Sequence, residues 1–366
     1  TVGIGKVGSR LPIIQGTSFA FIPIMLPFKA FGLGAIFTAA FIGGIFQIWI
    51  GKMLKPIRHM FPPLVTGIVV LMIGISLLKV GFMYAGGGGW LLNNKPEFFG
   101  SGNHLLIAFT VLIVSLIAHQ KGKGMVSSAS ILIGIIAGYI VAMLLGMVNY
   151  GKIASADWFA FPMPFQYGID FVWGAVILML FMSIVTTIET IGDISATTMG
   201  GANREATDKE LSGGIMADGL GTTFASIFNA MPNTSYSQNA GLVAFTGVIS
   251  RHVGTVAGVI LILLGLFPKL GGIIAAMPDS VIGGAAIIMF GLIAGAGIKL
   301  ISKSEMSQRN VLILALSLSF GIGLYAFPEF VAHVPDLGIK LGLLLTTGLI
   351  PAGLLAFILN ATLPIK

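Results

Sequence analysis

The chain contains no cysteine, which excludes disulfide frameworks and thiolate metal sites. Histidine is nearly as scarce, with five residues scattered singly and no His-x-x-Glu-His or similar spacing. The sequence therefore offers no metal centre and no cofactor motif. Charge is thin as well. Asp, Glu, Lys and Arg make up 9% of the 366 residues, against roughly 25% in an ordinary soluble domain, and none lies from Gly219 to Ser250. The net charge of +7 is no nucleic-acid footprint, because the Lys and Arg residues stand singly in loops rather than in clusters.

Hydrocarbon fills the rest. Hydrophobic residues make up 56% of the chain, and apolar runs of about twenty residues recur between short polar gaps, the pattern of spanning helices rather than of barrel strands. The reading is an all-α polytopic membrane protein in a lipid bilayer. Glycine, 51 residues in all, falls inside these runs as well as between them, where small residues let helices approach closely. Twelve spans are expected, near 11–28, 33–51, 62–82, 103–119, 127–148, 171–199, 212–230, 233–249, 252–276, 279–298, 309–327 and 338–360. Most of the Lys and Arg residues, among them Lys6, Arg58, Lys121, Arg204, Arg251 and Arg309, fall on the side of the first residues. By the positive-inside rule both ends of the chain are expected in the cytoplasm, with the protein in the plasma (inner) membrane.

A repeat lies beneath this pattern. Thr17-Ser18-Phe19 recurs as Thr234-Ser235-Tyr236 at an offset of 217 residues, and Pro62-x-x-Val65-x-Gly67 recurs as Pro278-x-x-Val281-x-Gly283 at 216. Counterparts of the spans at 171–199 and 212–230 would fall before residue 1, so a fourteen-span protein in two sevenfold halves is expected, with about twelve spans present here. Seven is odd, so the halves would be inverted, as in many secondary transporters.

The chemistry-bearing residues gather at the repeat. Pro232 to Gly241 is a polar island inside an oily chain, and polar backbone at membrane depth normally lines a cavity. It and Gly16 to Ala20 are expected to be short extended segments that face each other, each feeding a half-helix whose N–H groups point inward. Glu189 and Asp193 stand one turn apart on one helix face, in a stretch from Phe171 to Met199 with no other ionisable residue. Thr186, Thr190 and Thr197 extend that polar stripe. Asp218 is a further intramembrane carboxyl. Carboxyl groups away from bulk water can load and release a proton near neutral pH, and a carboxylate accepts from ring N–H groups of a heterocycle. Gln238 and Asn239 can each bind a cis N–H/C=O edge bidentately, and Phe19 and Tyr236 supply aromatic surface or main-chain donors. Gly86 to Gly89 lacks the Gly-Lys-Ser/Thr of a phosphate loop and is read as flexible.

These residues make the chain recognisable. Gln238-Asn239-x-Gly241-x-x-x-x-Thr246-Gly247-Val248-x-Ser250-Arg251 resembles the signature of the nucleobase/cation symporter-2 family, also called nucleobase–ascorbate transporters. Glu189-x-x-Gly192-Asp193 and Ala217-Asp218-Gly219-Leu220 resemble two further blocks of that family, in the expected order. The resemblance implies a seven-plus-seven inverted repeat with two short strands in broken helices at mid-membrane. It also implies a core domain moving against a gate domain that mediates homodimerisation. It places core at 1–51 (the family's third and fourth spans), gate at 52–150, core in 151–298 to about 276 followed by the start of the second gate segment, and gate at 299–366. Glu189 and Gln238 match the family's principal substrate positions. Phe19 matches an aromatic whose main chain meets the substrate, Tyr236 a pocket neighbour and Asn239 a residue affecting specificity. Asp193 and Asp218 match positions of proton coupling or site organisation. Uracil permeases of the family carry Glu at the Gln238 position and His at the Asp193 position, so this chain looks like the xanthine and uric acid branch.

The expected function is proton-coupled uptake of an oxidised purine, with the proton as coupling ion and no other cofactor. A carrier of uracil, another nucleobase or ascorbate is the alternative within the family. An anion channel or exchanger of the same design would favour a basic residue in the paired segments, and neither segment has one. An intramembrane enzyme would need a nucleophile, metal set or cofactor motif beside Glu189 and Asp193, and the sequence supplies none.

Overall fold

The computed structural model describes residues 3–25, 28, 31–53, 62–236, 238–332, 342 and 345–364. Its elements in chain order are strand β1 (Gln15–Thr17), helices α1 (Leu33–Lys52), α2 (Pro63–Ala85), α3 (Gly102–Lys121), α4 (Ser130–Leu144), α5 (Trp173–Ala202) and α6 (Asp208–Ile227), strand β2 (Asn233–Ser235), and helices α7 (Gln238–Thr246), α8 (Arg251–Gly265), α9 (Pro268–Ala275), α10 (Asp279–Ile301), α11 (Gln308–Ala326) and α12 (Leu349–Thr362). Among the described residues, α1, α2, α3, α5, α10 and α11 are long and apolar enough to cross a membrane, and α4 and α12 are shorter apolar helices. The stretch expected as one span at 252–276 is two helices, α8 and α9, bent by 81°. The cause is Pro268 at the start of α9, which cannot donate to the preceding turn but suits a first helical position.

Residues fall into two compact units, Thr1–Ser76 with Met163–Ala257 and Ala294–Lys366, and Leu77–Pro162 with Gly258–Ile293. In the second unit Ile107, Val111, Ala142, Val148, Ala276, Val281 and Ala285 form a buried cluster. Gly134 and Gly138 let α4 lie against Ser115 and Val111 of α3, the close helix approach that small residues permit. The Gly86–Gly89 stretch is a tight turn: Gly87 and Gly88 adopt φ of +115° and +90°, and a Cβ on Gly88 would meet the Asp279 carboxylate. Positive φ and close approach, rather than looseness, account for these two glycines.

In the first unit α1, α5 and α6 pack into a tight trio. Ser183 donates to the Gly43 carbonyl at 3.0 Å and Ser212 to the Gly51 carbonyl at 2.6 Å. A Cβ on Gly44 would lie 2.4 Å from Thr223 Oγ1, and one on Gly219 would lie 2.6 Å from both the Gly44 oxygen and the Ile48 nitrogen. Beside this trio Leu11, Ile13, Ile194, Leu211 and Ile215 make an apolar cluster, tied by the Gly8 N–H donating to the Gly213 carbonyl at 2.7 Å.

Candidate functional site

β1 and β2 are the two chain breaks that the sequence places in apolar runs, and they pair with each other. The ladder is antiparallel, with Gln15 opposite Ser235, Gly16 opposite Thr234 and Thr17 opposite Asn233. Two bonds extend it: Tyr236 N–H to the Ile14 carbonyl at 3.1 Å, and Ser18 N–H to the Pro232 carbonyl at 3.0 Å. Each strand satisfies part of the other's backbone, and such pairing is what makes extended chain tolerable in a membrane protein. The next residues turn into helix on both sides. Ser18 caps the turn Phe19–Phe21, its hydroxyl accepting from the Ala20 N–H, and α7 begins at Gln238.

Three carboxyl groups gather here, each facing a hydroxyl, two of those hydroxyls on β2. Thr234 donates to Glu189 at 3.4 Å and Ser235 to Asp193 at 2.7 Å. Thr190 donates to Asp218 Oδ2 in a short hydrogen bond. Asp193 and Asp218 are buried, at 7% and 0% exposure, while Glu189 is half-buried. Asp218 Oδ1 has no hydrogen-bond partner among the described residues. No ion pair from Lys, Arg or His reaches the three carboxyls among the described residues, nor is any group of three or more His, Asp or Glu placed to hold a metal ion.

Most buried hydroxyls of α5 bond back into their own helix: Ser183 to Met179, Thr187 to Ser183, Thr197 to Asp193 and Thr198 to Ile194. This is the usual way such side chains are satisfied in a helix. Thr190 breaks the habit and reaches across to α6.

The remaining predicted site residues stand on the strand pair. Tyr236 donates its hydroxyl to the Thr17 carbonyl at 3.1 Å and lies so close over Gly16 that a Cβ there would be 2.5 Å from its oxygen. Asn239 donates to the Pro12 carbonyl in a short bond, which holds the start of α7 to the chain entering β1. Phe19 is 40% exposed. The side chain of Gln238, like Ser237, lies outside the described residues. Sequence reasoning missed two contributors. Gln47 is fully buried in α1 and donates to Thr186 at 3.4 Å, and Thr222 holds the backbone of Asn233 through its hydroxyl. A lone amide in an otherwise apolar helix was the available signal for Gln47; Thr222 had none.

The fold is that of a multi-pass membrane protein. The transmembrane domain of a cyanobacterial bicarbonate transporter is similar at a TM-score of 0.58 with 16% identity, covering 97% of this chain and 86% of that one. Murine solute carrier 26 family member A9, an anion transporter, is similar at a TM-score of 0.66 with 13% identity, covering 97% and 61%. In sequence, the chain belongs to the Permease family, whose profile matches residues 1–330 and which is the nucleobase/cation symporter-2 family. Its members are transporters rather than enzymes. Relatives include a provisionally named purine permease of Clostridium perfringens, 38% identical over 99% of this chain and 78% of that one. The xanthine permease XanP of Escherichia coli is 34% identical over 98% and 80%, and the uric acid permease PucJ of Bacillus subtilis is 33% identical over 97% and 79%.

Proposed function

We propose that the protein is a secondary active transporter that takes up an oxidised purine, xanthine and/or uric acid, with protons. The observation that carries this reading is the half-buried Glu189 carboxyl beside a strand pair built from two broken helices. A flat heterocycle docking there could donate ring N–H groups to Glu189 and meet Gln238, Asn239 and the main chain near Phe19 and Tyr236. Asp193 and Asp218 take the proton-coupling or site-organising roles. The names of the xanthine and uric acid permease relatives support the substrate class.

The antiparallel pairing of segments that repeat in the sequence supports an inverted seven-plus-seven design, since a pseudo-two-fold axis would run such strands in opposite directions. A core that rocks or rides like an elevator against a gate, assembly as a homodimer in the plasma membrane, and cytoplasmic ends complete the proposal. The fold's likeness to anion carriers favours a second reading, an anion channel or exchanger, but β1 and β2 hold no Lys or Arg.

In the full-length protein, Glu189→Gln is expected to abolish accumulation of radiolabelled xanthine or urate in permease-deficient cells, and undiminished uptake would sink the assignment. Thermal unfolding of the purified protein should shift upward with xanthine or urate and stay unmoved by bicarbonate, since a ligand bound to the folded state raises apparent stability. Stabilisation by uracil or ascorbate instead would move the substrate to the alternative within the family.

A further inference from the structure

Thr190 is the unusual hydroxyl of α5, and what it joins is a chain of four groups. Asp193 on α5 accepts from Ser235 on β2 at 2.7 Å. Ser235 lies 3.4 Å from the Thr190 hydroxyl, and Thr190 donates to Asp218 on α6. All four side chains are buried, none more than 7% exposed. Two carboxyls are thus linked by two hydroxyls, and each hydroxyl both donates and accepts, so the chain can be oriented in either direction.

We propose that Asp193 and Asp218 exchange one proton through Ser235 and Thr190. This rests on the proton-coupled reading above and adds the route. Beginning with the proton on Asp193, its O–H bond breaks as a bond forms to Ser235 Oγ. Ser235 releases its own proton to Thr190 Oγ1, and Thr190 releases its own to Asp218 Oδ2. Three O–H bonds break and three form, both hydroxyls end neutral, and the net change is a carboxylate at Asp193 and a carboxylic acid at Asp218.

The Ser235–Thr190 step is the long link. At 3.4 Å it lies beyond the roughly 2.7–2.8 Å typical of O–H···O bonds, whereas the links at either end are close. The relay therefore passes protons when β2 is drawn toward α5. The residue before Ser235 in the strand is Thr234, which contacts Glu189, so a substrate seated there acts on the same strand. Among the described residues, the remaining titratable groups facing this region are Glu189 on α5 and Tyr236 after β2, whose hydroxyl is engaged by Thr17. α1 and β1 contribute the amides Gln47 and Gln15, which do not titrate, and the described part of α7 carries no charged residue.

The test uses full-length protein in proteoliposomes, with xanthine and urate, in wild type, Thr190→Val, Ser235→Ala and Thr190→Ser. Two rates are compared: accumulation driven by an inward proton gradient, and exchange of labelled for unlabelled purine at equal concentration on both sides. Positioned proton transfer commonly contributes about a hundredfold or more in rate. Thr190→Val and Ser235→Ala should therefore lower accumulation at least about tenfold more than they lower exchange, and should flatten its dependence on external pH. Thr190→Ser should restore both. Ser235→Ala keeps the Thr190–Asp218 bond, so it breaks the relay even if Thr190→Val misfolds. Coupled accumulation with an unchanged pH profile in Ser235→Ala would overturn the relay, as would accumulation and exchange that fall in step. A wild type that neither exchanges nor accumulates a purine would overturn the proposed function itself.

Discussion

Gly16 shows how little freedom a single residue has at the strand pair. Its α-hydrogen faces the Tyr236 ring, and a methyl there would lie 2.5 Å from the hydroxyl oxygen and 3.0 Å from Cζ. Gly16→Ala should push Tyr236 off the Thr17 carbonyl and weaken purine binding about tenfold, read by calorimetry on detergent-purified protein. Gly16→Ala combined with Tyr236→Ala should lose less than the sum of the two, because residues in contact couple. The placement of Glu189 and Asp193 on one face of α5 was legible in the sequence, since residues one turn apart in a helix share a face. Their partners were not. Thr234 and Ser235 lie 45 and 42 residues away, and no local pattern tells a hydroxyl which carboxyl it will meet.

Helices and strands were legible where composition alone sets them. α5 runs from Trp173 to Ala202, close to the apolar stretch expected at 171–199; β2 falls within its polar segment, and β1 overlaps the start of the other, one residue early. The bend between α8 and α9 had a sequence signal in Pro268 and Lys269 that a reading by apolar run length passes over. The charged connection between α5 and α6 is ordered. α5 ends with Asn203 in the left-handed region, and α6 opens with Thr207 and Glu210 in a capping box. Thr207→Ala should cost roughly 1 kcal/mol of stability through the lost cap.

Hydrogen bonds from Arg204, at 2.8 and 2.5 Å, and from Thr207 hold the Glu210 carboxyl down to about 2 from its usual 4.5, against the opposing effect of partial burial. A depressed carboxylate adds stability that is complete above about pH 4.5 and is lost as pH falls toward 2. Arg204 is exposed and Glu210 only partly buried, so the effect is reduced by solvent and by salt. Unfolding followed between pH 5 and 2 should show a shallower acid loss in Glu210→Gln than in wild type.

For the whole molecule, the sequence conveyed a membrane protein through what it lacked, and the same lack makes its topology easy to test. With no native cysteine, single substitutions report unambiguously. Lys209→Cys should react with membrane-impermeant maleimide only from the cytoplasmic side, and Lys95→Cys only from outside; labelling of both from one side would overturn the proposed orientation. The close trio of α1, α5 and α6 was not legible, because the glycines that define it look like all the others. Only the folded chain shows that Gly44 and Gly219 meet where a single added methyl would strike backbone atoms. Such overpacking costs about 1–3 kcal/mol, and Gly219→Ala should lower the unfolding temperature accordingly. That crossing also limits how a lineage can drift. The seam admits no larger residue, so with the substrate site proposed above, variation in substrate preference is expected in the side chains around the strand pair. A directed-evolution library aimed there should yield altered selectivity, whereas one aimed at the seam should yield mostly proteins that fail to reach the membrane.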